Sequence, residues 1–289
     1  MLNSATLFEP WLQFKTPAVR QLAFCIASPN IVTMHPPELS IHFNFEWHND
    51  NFWENCYQNY QRRLIELDQN PTALHTFLAK IKSTRLGIRF ESLLWFWLQD
   101  NPNEQYHPYR LIQHSVQQIQ GKQTLGELDF LLLNTHTMHI EHWEVALKFY
   151  LAERQYQLGA WYGLNRQDTL QKKLQHFTQK QFQFSRALGF AIEKKYAVLK
   201  GQLYLPTLQQ CPTPTWVNQK RRLGTWGNRI PTDPMLHLSR HEWLCPDAEP
   251  QVEPTIWWRS DLYYTSKHNE FFMFRQPSLL LNHSKKIKI

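Results

Sequence analysis

Residues 126 to 151, GELDFLLLNTHTMHIEHWEVALKFYL, constrain the fold of this chain more than any other stretch. Two strongly apolar runs flank the loop LNTHTMH, which is short enough for an antiparallel hairpin. In a strand the side chains alternate, so Glu127, Asp129 and Leu131 share one face of the first run. In the second run His142, Glu144, Ala146 and Lys148 share a face, opposite Trp143, Val145, Leu147 and Phe149. Hairpin pairing then sets Asp129 against Glu144 across neighbouring strands. Carboxylates and amines in apolar strands are costly unless they are paired or bind a metal.

Carboxylates converging on one face suit a hard cation such as Mg2+ or Mn2+, which takes oxygen ligands and retains waters. A metal-activated water beside a lysine is chemistry for phosphodiester hydrolysis. The bland alternative is a structural ion pair, in which Asp129 and Glu144 neutralise Lys148 or an arginine inside the sheet. A third acid, Glu91, lies within the most apolar helix expected here, RLGIRFESLLWFWLQD. There it joins Gly87, Leu94 and Leu98 on one helical stripe.

Around this centre the spacing predicts further elements. TPAVRQLAFCIAS reads as a helix with Thr16 as N-cap and Pro17 at its first position. SPNIVTMHPPELS reads as a loop. The Trp-bearing stretch through FNFEWHNDNFWENCYQNYQRRLIELD regains helical character, with His48, Asn49 and Asp50 as loop or cap residues rather than ligands. Leu111 to Gln120 fits a strand or a short helix. Asn165 or Asp168 is placed to start a long helix through QDTLQKKLQHFTQKQFQFSRALGFAIEKK, striped by Leu170, Leu174, Phe177, Phe184, Leu188 and Ala191. On its other faces Lys172, Lys173 and Lys180 are either solvated or in contact with phosphate, and His142 is a further candidate phosphate or nucleic-acid contact. After residue 200 the texture changes to short apolar runs between Pro-rich loops. The expected organisation is an N-terminal helical region (1–83), a core (84–200) and a β-rich C-terminal region (201–289).

The formal charge of +7 over 289 residues is compatible with a polyanionic partner. In the C-terminal region Lys220, Arg221, Arg222 and Arg229 are either candidates to hold a phosphate backbone or loop charges that serve solubility. The tail HSKKIKI is basic. Cys25, Cys56, Cys211 and Cys245 are widely separated and read as reduced packing residues, which argues against a structural zinc or a disulfide framework. No apolar run of transmembrane length or secretory h-region occurs, so a cytoplasmic protein without a membrane partner is expected. No phosphate-binding Gly loop, dinucleotide fingerprint or Ser/His/Asp motif occurs.

The order of an acidic helix, a strand with Asp, and a strand with an acid and a lysine resembles the PD-(D/E)XK nuclease superfamily. More closely, FESLLWFWL, LGELDFLL, HWEVALKFYL and YGLNRQDTLQKKL resemble domain-of-unknown-function family 1853, which is placed in that superfamily; GQLYLP and RRLGTWG extend the likeness. The resemblance implies an α/β fold with a restriction-endonuclease-like core of helix, mixed central sheet and helix. It also implies Asp129 and Glu144 as metal ligands for Mg2+ or Mn2+, Lys148 as catalytic lysine and Glu91 as accessory acid, acting on DNA or RNA. One departure stands out: the superfamily lysine follows its acid by two residues, where this chain has Ala146. Lys148 stands at plus four, about 13 Å along an extended strand against about 6.6 Å for plus two. A bulge could bring Lys148 back, or the lysine could come from the following helix, where Lys172 is the candidate. The alternative is a non-catalytic protein of this fold that binds nucleic acid or a protein partner. Asp129 and Glu144 close enough to share a cation, with a lysine beside them, favour the enzyme; carboxylates facing apart exclude it.

Overall fold

Alternation along the two apolar runs does produce paired strands, within a mixed α/β fold. In a computed structural model, residues 7–208, 211–248 and 254–275 are described, and the basic tail HSKKIKI lies outside them. In chain order the elements are α1 (Pro17–Ala27), β1 (Glu46–Trp47), α2 (Asp50–Gln69), α3 (Thr72–Leu78), α4 (Leu86–Gln99), β2 (Tyr109–Gln120), β3 (Gln123–Asn134), β4 (His139–Ala152), β5 (Trp161–Tyr162), α5 (Leu170–Gln179), β6 (Arg186–Ala187), β7 (Phe190–Ala191), β8 (Lys194–Pro206), β9 (Gly224–Gly227), β10 (Leu236–His237), β11 (Asp261–Thr265) and β12 (Glu270–Phe274).

One sheet runs β10-β11-β12-β9-β8-β4-β3-β2, with β1 added to β8 and β5 to β4. β2, β3 and β4 are antiparallel neighbours, whereas β4 and β8 pair in parallel from Glu141↔Lys194 to Leu151↔Tyr204. β8 runs through residue 200, where a boundary was expected, and joins the C-terminal strands to the same sheet.

Strands covered on both faces carry apolar side chains toward both. Trp143, Val145, Val198, Phe130 and Leu132 pack against α1, α2 and α4. On the other face Ala197, Leu199 and Leu203 pack with Leu170, Leu174 and Phe177 of α5. Lys200, in the middle of β8, is fully buried and makes no ion pair with a carboxylate among the described residues. Its Nζ donates to the carbonyls of Cys25 (2.7 Å) and Ser28 (2.5 Å) at the end of α1 and lies 3.3 Å from the Trp53 ring centroid. The exposed carbonyls of a helix C-terminus favour a cation there. Burial nonetheless holds this amine well below the usual lysine range.

Two quoted words meet here. Gly201 of GQLYLP has φ +125°, and a Cβ at this position would lie 1.9 Å from the Lys148 carbonyl oxygen, so only glycine lets β8 approach β4 this closely. The Gly201 carbonyl accepts from Arg221 Nε of RRLGTWG at 2.9 Å. Arg221 and Arg222 both pair with Glu9, at 3.5 and 2.7 Å. These two arginines therefore clamp the fold, and Glu9 occupies the charge that made them candidates for a phosphate backbone.

Several local expectations hold. α1 begins at Thr16 and Pro17, although the Thr16 hydroxyl donates to the Asp68 carbonyl rather than capping its own helix. Asn49 caps α2 by accepting from Phe52 N, and His48 is buried between the rings of Phe52 and Tyr196. Cys25, Cys56 and Cys245 are buried.

The long helix expected from Asp168 to Lys195 is the clearest correction. α5 is capped by Thr169, whose Oγ1 accepts from Lys172 N at 3.2 Å, and it ends at Gln179. Lys180 leaves helical geometry, and Phe182 turns inward to stack on Phe45 at 4.8 Å. Leu188 and Gly189 then form the turn of the β6–β7 hairpin, both with positive φ. Leu188, expected on an apolar stripe, is exposed. Replacing the cap, Thr169→Ala, is expected to cost about 1 kcal/mol of stability in urea unfolding.

Candidate active site

β3 and β4 pair from Asn134↔His139 to Phe130↔Trp143, and the registered pairing stops there. Continued by one step, this register sets Asp129 opposite Glu144. Beyond that point β3 stays with β2 while β4 stays with β8, so the sheet forks at the two acids. Asp129 holds the fork: its Oδ2 accepts from the Val145 backbone N–H at 2.8 Å. The Glu144 carboxyl lies within hydrogen-bonding reach of the Asp129 side chain.

Glu144 is completely enclosed and Asp129 half-buried. Burial pushes Glu144 up to about 8 against the opposing charge of Lys173, and burial together with the Glu144 charge holds Asp129 well above the usual carboxylate range. Two acids this close share protons as a pair. Glu91 on α4 adds negative charge to both acids. Its own carboxylate meets His114 Nε2 at 2.7 Å, and the His114 ring stacks on Trp95.

The lysine beside the acids is Lys173 of α5. Burial lowers its amine to about 8, while the charges of Glu144 and Asp129 work to raise it. Gln181 joins lysine and acid: its Oε1 accepts from Lys173 Nζ at 3.0 Å and its Nε2 donates to Glu144. Lys172, the helix lysine favoured by sequence, points elsewhere and donates to the Gln167 carbonyl at 2.8 Å. Lys148 stays apart from the pair as well. Its Nζ meets Asp168 Oδ2 at 2.7 Å, and Asp168 Oδ1 also accepts from Tyr150 at 3.2 Å. The charges of Lys148 and Asp168 nevertheless reach Lys173, so the two clusters are neighbours.

His142 is wholly buried, which leaves it no surface to meet a phosphate. Its Nε2 lies 2.7 Å from Glu144 Oε1, and burial lowers its pKa to about 3, so the ring is neutral and braces Glu144. Lys180 is exposed just past the end of α5. Glu127 is exposed and bonds the Ser115 hydroxyl. Glu141 lies on the opposite face, held by Asn134 and Trp143 at 2.8 Å each. Sequence reasoning missed Gln181 and His114. Gln181 was hidden inside a helix read as continuous, and His114 carries no signal until β2 is laid beside α4.

Among the described residues no three His, Cys, Asp or Glu side chains gather as a metal cage. The donor set at the fork is two carboxylates, which fits a cation that keeps most of its waters and does not fit a closed zinc-type site.

Fold and site together define a mixed α/β protein with a carboxylate pair at a strand fork and a helix-borne lysine beside it. Residues 20–283 match the family model described as Domain of unknown function (DUF1853), and the chain belongs to that family. No curated protein and no solved structure matches it. No helix among the described residues is long and apolar enough to cross a membrane.

Proposed function

We propose that the protein is a divalent-metal-dependent nuclease of the PD-(D/E)XK superfamily, hydrolysing DNA or RNA phosphodiester bonds from a restriction-endonuclease-like core. The carrying observation is that the β3–β4 register, continued by one step, sets Asp129 opposite Glu144, with the Lys173 amine tied to Glu144 through Gln181. Asp129 and Glu144 would hold Mg2+ or Mn2+, which when bound supplies charge stabilisation at the phosphate and lowers the pKa of a water.

The chain's own residues do the rest. Gln181 and His142 fix the Glu144 carboxyl from two sides, and the Val145 N–H fixes Asp129. Held this way, both acids are fixed in place by the protein's own donors, the kind of preorganisation that favours catalysis. Lys173, tethered by Gln181, carries positive charge toward the attacked phosphate or orients the nucleophilic water. Glu91 with His114 forms the outer wall of this charged patch and is the accessory acid.

Incubation of the purified protein with single-stranded and duplex DNA and with RNA, in Mg2+, Mn2+ or EDTA, tests this reading. Cleavage is expected with either metal and is expected to vanish in EDTA. Intact substrates under all conditions, or equal cleavage in EDTA, exclude it.

A further inference from the structure

Between the fork and Leu151, where β5 joins, β4 pairs among the described residues on its β8 side only. A cleft of about 390 Å3 opens along this free edge, lined by Lys148 and Phe149 of β4, Arg85 and Leu86 at the start of α4, Asp168 and Arg240. We propose that this cleft binds backbone phosphates of a nucleic-acid strand flanking the scissile bond; the proposal rests on the nuclease reading of the neighbouring acids. Arg85 and Arg240 contact phosphate, Lys148 faces the strand as it leaves the carboxylate pair, and Leu86 and Phe149 wall the sugar and base.

Charge complementarity carries the assignment. Three cations line the cleft against the single carboxylate of Asp168, and that carboxylate is occupied by Lys148 and Tyr150. Arg85 is exposed and makes no side-chain hydrogen bond or ion pair among the described residues. Arg240 is exposed, with its guanidinium lying 4.1 Å from the Trp243 ring centroid rather than against an acid. An arginine held over an aromatic ring rather than against an acid keeps its N–H donors for a phosphate. This contrasts with Arg221 and Arg222, whose charge is spent on Glu9. Lys148 lies on the same strand and the same face as Glu144, so a chain following the free edge passes from the acids to the cleft.

The test is fluorescence anisotropy of the full-length protein with short fluorescein-labelled DNA and RNA strands in EDTA, across a salt series. The double variant Arg85→Ala/Arg240→Ala is compared with Arg85→Lys/Arg240→Lys and with wild type. Both arginines are exposed, and unchanged thermal melting verifies that the variants fold. The alanine pair is expected to bind about tenfold or more weakly and to flatten the slope of log affinity against log salt by roughly 0.7–0.9 for each lost phosphate contact. The lysine pair, which keeps the charge, is expected to recover most of the binding. Equal affinity and slope in wild type and the alanine pair overturn the cleft assignment alone if the wild type cuts. Arginine-dependent binding by a protein that never cuts upholds the cleft and overturns the nuclease reading alone. No binding of either strand by wild type overturns the assignment and leaves the free β4 edge to an added peptide strand.

Discussion

Lys173→Met is expected to lower metal-dependent cleavage by about 10²–10³-fold, or about 3–4 kcal/mol of transition-state stabilisation, mainly in kcat. The amine lies beside both acids, reports their charge, and is aimed by the Gln181 amide. Methionine keeps the length and much of the packing of the lysine stem, including its place near Phe177, while deleting the charge. Lys148→Met is expected to act differently, because that amine is bound to Asp168 and lines the adjacent cleft. It should raise KM by about tenfold or less, about 1.4 kcal/mol, with kcat little changed. Lys172→Met should do neither, since its amine only meets the Gln167 carbonyl. Steady-state cleavage of one oligonucleotide by all three variants decides among them. Loss of kcat in Lys148→Met with retention in Lys173→Met would return the catalytic role to the strand lysine.

Asp129→Asn is expected to abolish cleavage and at the same time to stabilise the protein as the pH rises. Asparagine still offers an oxygen to the Val145 N–H and an amide donor to Glu144, so the fork stays closed without the second acid. Asp129 and Glu144 both have folded-state pKa values raised above their unfolded ones, Glu144 to about 8. The folded protein therefore binds protons more tightly than the unfolded chain. The stability this provides is fully present below about pH 4 and is lost as pH rises through the folded values. The loss is at most about 1.4 kcal/mol per pH unit for each proton involved. Removing one acid leaves a single acid at the fork and flattens that decline. The variant should gain on wild type by about 2 kcal/mol between pH 5 and pH 8 in urea unfolding. The window stops at 8 because the depressed Lys173 titrates above it and acts in the opposite direction. A difference between variant and wild type that is the same at both pH values would refute a proton-sharing pair.

The alternation of residues 126–151 set the faces of β3 and β4, and the short loop set their register. Phe130 opposite Trp143 follows from that register, and with it the meeting of Asp129 and Glu144. The apolar run of α4 with Glu91 at its centre, and the cap at Asn49, were equally legible because each depends on neighbours within one turn. The end of α5 was not. Nothing near Lys180 is a glycine or proline, and the helix stops there because Phe182 is drawn into the core against Phe45 and Phe177, a contact between distant segments. Once that break was missed, Gln181 could not be placed, and with it went the link between Lys173 and Glu144.

His142 shows the same limit from the other side. Its face of β4 was right and its role was not, because Phe182, just beyond the end of α5, packs against the ring and the ring is left no solvent. The arginines of RRLGTWG read as free charge until Glu9, more than two hundred residues earlier, came to meet them. Sequence by itself determined which residues share a strand face and which acids oppose each other, because period-two alternation and a short loop are local geometry. Only the tertiary structure decided which lysine serves those acids and which cations stay free for a ligand. Those choices depend on how helix α5 lies over the fork and on which groups are buried together, and neither distance is written in the spacing along the chain.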